Sequence, residues 1–264
     1  MHDDDHDASG RAPRLFVDAA LAAGGRVRLD EAQSGYLLQV LRLRPGDDVL
    51  VFNGRDGEWR AGIDRTGKRT CELAIGNPSR PQVDGPDLHY LFAPLKRARL
   101  DYLVQKAVEM GVAALRPVMT RRTVAERVNL ERMRSNAIEA AEQCGVLRIP
   151  EIAAPQPLDR CLDTWPAGRR LIFCDEAATI RDPVRALQSL REASQPRALA
   201  LAVIVGPEGG FAPEERDRLL AAPHVTAISL GPRIMRADTA AVAALALVNA
   251  VLGDWSADEP VKPL

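Results

Sequence analysis

The chain has 264 residues, 46% of them hydrophobic and 27% charged, with 35 basic against 36 acidic side chains and a net charge of −1. That length suffices for one large domain or two modest ones with a real core, and near-neutrality excludes a strong global field steering the protein onto nucleic acid or a membrane. The longest apolar run, nine residues at 240–248, is too short to span a bilayer, and the acidic, polar N-terminus is no secretory signal.

Residues 1–11 carry four Asp and one Arg and read as a disordered acidic leader. From residue 12 to 76 the texture is short β segments divided by turns: 13–16, 26–29, 48–53, 58–64 and 70–75, with PGDD, GRDG and GK turn signals between them. Residues 31–43 have helical spacing and stop at Pro45-Gly46. This pattern predicts a small β-barrel with one helix. Residues 77–87, rich in Pro and Gly, read as an interdomain linker.

From 88 the pattern becomes strand–helix alternation, an α/β domain over 88–253 followed by a tail at 254–264. Strands are expected at 88–94, 112–118, 171–174, 198–205 and 225–230. The run ALALAVIV is what a strand buried on both faces of a parallel sheet requires. Helices are expected after Leu100 and up to a Gly111 cap, over 129–144, from Pro213, and over 238–252 with Asp238 or Thr239 as cap.

Few side chains suit metal or nucleophilic chemistry. The four cysteines (Cys71, Cys144, Cys161, Cys174) form no CxxC pair, which argues against a zinc ribbon or disulfide scaffold and fits a reducing cytoplasm. Two of the four histidines lie in the leader, which disfavours a His-based triad or multi-His metal site, so no metal is expected. The charge average hides a basic segment, 94–136, with ten Lys/Arg against four acids. With only 11 aromatic residues, RNA binding could not lean mainly on stacking.

Three strand exits carry the chemistry. Gly206-Pro207-Glu208-Gly209-Gly210 follows the buried strand, and glycines there let a ligand approach the backbone, although a tight strand–helix turn is an equally good reading. The segment is neither GxGxxG nor a P-loop, so dinucleotide and nucleoside-triphosphate readings lose their main support. Ser229–Ala240 places Arg233 and Arg236 before an apolar helix, where they would bind an anion, steady an anionic transition state or merely be solvated. Cys174-Asp175-Glu176 supplies the third exit, and three exits of one sheet make a better pocket hypothesis than any alone. Lys106, Glu109 and the helix end 142–145 read most simply as solvated surface.

Together VQKAVEMGV (104–112), EAAEQCG (139–145), RIPEI (148–152), IVGPEGGF (204–211) and SLGPRIMRADTA (229–240) resemble, in order and spacing, the RsmE family of 16S ribosomal RNA uridine N3-methyltransferases in the SPOUT superfamily. PRLF (13–16) and VLRLRPGD (40–47) resemble that family's PUA-like RNA-binding barrel. The resemblance implies an α/β SPOUT fold whose C-terminal segment threads a deep trefoil knot, which ordinary topology rules would not predict. It implies a homodimer packed through the knot helices, and S-adenosyl-L-methionine held by three loops: Phe173, Cys174 and Asp175; Val205, Gly206, Pro207, Glu208, Gly209 and Gly210; and Ser229, Leu230, Gly231, Ile234 and Met235 with Thr239.

For methyl transfer to uridine N3, with no useful His, Arg236 together with Arg233 would stabilise the uridine anion while Glu208 or solvent takes the proton; positioning the phosphate backbone is the alternative role for either arginine. RNA would be gripped by Arg14, Arg42 and Arg44 of the barrel and by Arg97, Arg99, Arg121 and Arg122, within the small ribosomal subunit. The chain departs from the family's usual residues at Asp238 (Glu), Val146 (a basic residue), Tyr36 (His) and Gln39 (Arg). A related SPOUT enzyme acting on transfer RNA and a noncatalytic RNA-binding or assembly factor are the competing readings.

Overall fold

A computed structural model describes residues 12–67, 70–125, 127–179, 182–193 and 199–256. The leader at 1–11 and residues 257–264 of the expected tail lie outside them. Two units meet between Val83 and Asp84.

The first unit is a five-stranded sheet of β1 (Arg14–Phe16), β2 (Arg26–Arg28), β3 (Asp48–Phe52), β4 (Glu58–Thr66) and β5 (Cys71–Arg80), in the order β1-β3-β4-β5-β2. Only the β1–β3 pairing is parallel. Alternation turns Val49, Val51, Ala61, Ile63, Leu73 and Ile75 onto one core, which Leu37 closes from the helix side. The helix departs from the expected 31–43. An α-helix, α1 (Glu31–Gly35), passes into a π-helical turn, Tyr36–Val40, where Leu41 N–H reaches Tyr36 O at 2.9 Å. Arg42 then takes a left-handed φ of 57°, and Leu43 N–H caps Leu37 O, so the helix ends before Leu43. Strand β5 also runs to Arg80, four residues into the segment expected to be linker. Its extension is anchored by Arg80, whose guanidinium grips the buried Glu58 carboxylate at 2.7 and 2.9 Å.

The second unit is a parallel α/β fold. In chain order it runs β6 (Leu88–Phe92), α2 (Arg97–Glu109), β7 (Ala114–Met119), α3 (Leu130–Cys144), β8 (Glu151–Ile152), β9 (Gln156–Pro157) and α4 (Leu158–Asp163). There follow β10 (Arg170–Cys174), α5 (Pro183–Ala193), β11 (Leu201–Val205), α6 (Pro213–Ala221), β12 (Val225–Ile228) and α7 (Ala237–Leu252). The strands lie in the order β12-β10-β11-β6-β7-β8, with β9 pairing β7. β11 sits between β10 and β6 and all five of its residues are buried, which is why its sequence is uniformly apolar.

Alternate residues Leu91, Phe173, Ala202 and Ile204 pack on one face with Leu158 and Cys161 of α4 and Leu219 of α6. α2, α3, α5 and α7 pack among themselves, and α7 also rests on β11. Gly111, at φ 73°, ends α2 as its spacing requires. α7 begins one residue earlier than expected, with Arg236 as an extended N-cap that makes no side-chain capping bond. Neither Asp238 nor Thr239 is therefore the cap: both lie in the first turn, where Asp238 Oδ1 accepts the Thr239 N–H at 3.0 Å and the carboxylate also meets Arg99. Asp254–Ser256, the start of the expected tail, forms a 3-10 turn. Among the described residues no helix is long and apolar enough to cross a membrane, and no group of three His, Cys, Asp or Glu is placed to hold a metal ion.

His89, at the entry of β6, accepts a hydrogen bond at Nδ1 from Arg116 Nε at 3.0 Å. Burial, then the nearby Arg169 and Arg116 guanidiniums, lower its pKa to about 4. The unfolded chain would bind a proton here near pH 6.5 and the native protein only near pH 4. This stabilising contribution is complete above pH 6.5 and is lost as pH falls through that window, by at most about 3 kcal/mol. Urea titrations from pH 7 to 4 should show a steeper loss for the natural chain than for His89→Asn. Parallel pH profiles would remove His89 as the cause.

Candidate active site

Because β12, β10 and β11 are adjacent and parallel, their C-terminal ends open side by side. Their exits enclose a cavity of about 420 Å³, within the range of small-molecule sites. Each wall is positioned differently.

At the β10 exit, Asp175 is buried, its side chain 2% exposed, and is gripped through both oxygens by Arg216 of α6 at 2.8–3.1 Å. Its Oδ1 also accepts the Ala177 N–H at 3.1 Å, bending the chain so that Glu176 lines the cavity.

At the β11 exit, a Cβ on Gly206 would lie 2.7 Å from the Phe211 ring, so only glycine lets the loop fold back under that ring. Phe211 in turn meets Phe173 edge-on at 5.2 Å. Gly210, at φ 68°, closes a turn by donating to Pro207 O at 2.9 Å. Side chains from outside the loop hold it: Arg122 donates to Gly209 O at 2.7 Å, and Arg99 of α2 donates to Glu208 Oε1 at 2.6 Å. Below the loop, Glu215 accepts from Ala212 N–H at 2.9 Å and Arg121 N–H at 2.8 Å.

The β12 exit turns at Ser229, whose hydroxyl accepts the Gly231 N–H at 3.3 Å, and Gly231 stands at φ 106°. Leu230, Ile234 and Met235 line the cavity, and Ile234 is 96% exposed at its mouth. Arg233 and Arg236 are exposed there as well, and among the described residues neither has an ion-pair partner. Asp238 lies just behind them. Its pKa is held below the usual carboxylate range, first by the hydrogen bond from Arg99, against a smaller opposing effect of burial.

Nearly all residues assigned to the three loops thus meet in one cavity, with Arg233, Arg236 and Glu208 among its walls. Two do not. Phe173 is fully buried beneath Phe211, and Thr239 is an exposed residue of α7 outside the lining. Glu176, placed at the third exit but not among the cofactor contacts, lines the cavity, as do Phe211, Ala237 and Ala240, which were not assigned to it. Phe211 directly follows the glycine-rich motif and was legible there; the alanines were hidden inside a uniformly apolar helix.

The arginines expected on RNA divide. Arg42, Arg44 and Arg97 are exposed. Arg121 is exposed and pairs with Glu214 at 2.8 Å, a type of contact worth little in solvent. Arg14 is instead committed inside the first unit, 2.7 Å from Glu58 and over the Phe52 ring. Burial pushes the Glu58 carboxyl up, but hydrogen bonds from Arg80 and Arg14 outweigh it and hold the pKa low, so these guanidiniums are its required countercharge. Arg99 and Arg122 are likewise turned onto the glycine-rich loop.

Arg216→Ala should cost about 2 kcal/mol by leaving the Asp175 carboxylate buried without its partner, and Asp175→Asn in the same chain should recover part of that loss. Urea unfolding of both variants measures this. With Asp175→Asn alone measured as well, a loss in the double variant equal to the sum of the two single losses would show that the pair contributes no coupling.

The comparisons with known proteins agree with this architecture. A family model described as an RNA methyltransferase domain matches residues 83–249, and one described as an RNA methyltransferase PUA domain matches residues 29–76. A Synechocystis protein named ribosomal RNA small subunit methyltransferase E is 31% identical across 91% of this chain and 78% of its own. Its namesake in Rickettsia conorii is 29% identical across 89% and 94%. Among solved structures, a ribosomal RNA small subunit methyltransferase E of Neisseria gonorrhoeae bound to S-adenosyl methionine superposes with a TM-score of 0.78 at 27% identity, covering 93% of this chain and all of that one. A Legionella pneumophila methyltransferase in complex with the same cofactor gives 0.80 at 29%, covering 92% and 99%. A parallel sheet with its cavity at three strand exits, a separate PUA-type unit, and these matches along nearly the whole chain lead to one assignment: the chain belongs to the ribosomal RNA small subunit methyltransferase E family.

Proposed function

We propose that this protein transfers a methyl group from S-adenosyl-L-methionine to N3 of a uridine in 16S ribosomal RNA, within the small ribosomal subunit. The observation that carries the reading is one cavity shared by the three strand exits, with two arginines at its mouth that have no ion-pair partner among the described residues. The residues present fit the cofactor. Gly231 leaves backbone uncovered along the wall, and a Cβ added there would enter space that is now open, whereas at Gly206 the Phe211 ring occupies that place. Leu230, Ile234, Met235 and Ala240 offer an apolar slot for an adenine ring, and Glu176 and the second oxygen of Glu208 supply the negative charge a sulfonium and an ammonium favour, Asp175 being engaged by Arg216.

When bound, the cofactor supplies an electrophilic methyl group; this chain supplies alignment and charge. In-line displacement demands that nucleophile, methyl and sulfur be held collinear, so fixed loop geometry is the main catalytic device. Uridine N3 carries a proton at neutral pH. Arg236, with Arg233, stabilises the anion spread over N3 and the flanking carbonyl oxygens, and Glu208 or solvent accepts the proton. With Oε1 engaged by Arg99, Glu208 would accept through Oε2.

The exposed Arg42, Arg44, Arg97 and Arg121 would hold the RNA backbone. The protein acts as a homodimer in the cytoplasm. The half-exposed apolar stripe of α7 (Val242, Ala243, Ala246, Leu247) suits a subunit interface, and the free cysteines suit a reducing compartment. A knotted C-terminus accords with β12 at the sheet edge while α7 returns to β11, α2 and α5.

Purified protein, labelled cofactor and unmodified small subunits should yield label in 3-methyluridine, with naked 16S RNA as the comparison substrate. Label in another nucleoside would overturn the specificity, and no label despite verified cofactor binding would favour an RNA-binding factor. Arg236→Ala should lower turnover about 100-fold or more while cofactor affinity stays within about twofold. Unchanged turnover would remove Arg236 from the chemistry. RNA affinity should fall steeply with salt, and a flat response would reject the phosphate contacts.

A further inference from the structure

Arg99 belongs to none of the cavity's walls, yet its guanidinium reaches two of them. Nη1 donates to Glu208 Oε1 at 2.6 Å, in the loop after β11. Nε and Nη2 fork onto Asp238 at 3.1 and 3.3 Å, in the first turn of α7, where the segment after β12 ends. The two carboxylates lie 109 and 139 residues along the chain from Arg99, and only this one cation bridges them among the described residues. It projects from the first turn of α2, whose Leu103, Val104, Ala107 and Val108 are fixed in the core. The fork therefore ties the loop after β11 and the start of α7, where the segment after β12 enters its helix, to α2.

We propose that Arg99 is the positioning residue that sets the distance between the 206–210 and 229–236 walls of the cavity. Its effect on cofactor binding rests on the methyltransferase reading above, whereas the brace itself does not. The physical argument is electrostatic and geometric. Glu208 and Asp238 converge on one guanidinium, so without it two carboxylates face each other across the gap and repel. Lysine cannot substitute, because a single ammonium cannot fork onto Asp238 and reach Glu208 together. A cavity whose walls are already at their working separation spends less of its binding energy on ordering them. The same contacts engage the guanidinium of an arginine that stands in a basic segment of the sequence and is still 30% exposed.

The test compares natural protein, Arg99→Gln, Arg99→Lys and the double variant Arg99→Gln/Asp238→Asn in two measurements. Hydrogen exchange on the cofactor-free proteins reads the brace directly. Amides of 206–211 and 229–238 should exchange at least about threefold faster in Arg99→Gln, with β4 and β11 unchanged and the double variant partly restored. Calorimetric titration with S-adenosyl-L-methionine should show a Kd raised about tenfold in Arg99→Gln and by less in Arg99→Lys. Natural exchange in both segments of Arg99→Gln overturns the proposal. If the natural protein fails to bind the cofactor, the methyltransferase reading falls, and the exchange comparison still decides the brace. If Arg99→Gln does not fold, Arg99→Lys alone decides it by the same criterion.

Discussion

A strand hydrogen-bonded to parallel neighbours on both sides and covered on both faces can expose chemistry only at its ends. β11 is such a strand, and its burial between β6 and β10 leaves the turn at Gly206 as its first opportunity for polar function. Because β10 runs parallel beside it and β12 parallel beside β10, their ends open on the same side of the sheet. The site is thus a consequence of strand order, while its details are consequences of how each exit turns. Asp175 turns one exit, the Gly206–Phe211 contact the second and Ser229 with Gly231 the third.

The rigidity of these turns comes from arginine. Of the 35 basic residues 31 are Arg, and many serve internal carboxylates and carbonyls. Arg216 answers Asp175, Arg99 answers Glu208 and Asp238, Arg122 answers Gly209 O, and Arg14 with Arg80 answers Glu58. A planar fork with five donors can join two backbone segments in a way a lysine ammonium cannot. This usage separates structural from exposed arginines. Arg233 and Arg236 at the cavity mouth, and Arg42, Arg44 and Arg97 elsewhere, remain available for an anionic ligand.

What the sequence revealed and what it hid follow the same division. The apolar run ending at Val205, the glycine-bearing exits and the proline-led start of α6 are local signals; the strand proper covers Leu201–Val205 of the expected 198–205, residue 198 lying outside the described residues, and α6 starts at Pro213 as expected. The two-residue strands β8 and β9 and the six-residue α4 carry too few positions for periodicity to register, and they went unanticipated. Contacts formed by folding were equally silent: Arg216 lies 41 residues from Asp175, and nothing in its surroundings marks it among so many arginines. The basic segment at 94–136 suggested an RNA-facing role for Arg99 and carried no sign of its pairing with Glu208 and Asp238. Charge density along a chain does not tell which charges meet an internal partner.

The central claim is that the three strand exits form one preorganised site for a methyl donor. Hydrogen exchange of the natural protein with and without S-adenosyl-L-methionine tests it most directly. The account predicts protection confined to the exits around 174–176, 206–211 and 229–238, with the strands of the first unit unaffected. Protection outside these segments, or none at saturating cofactor, would contradict it.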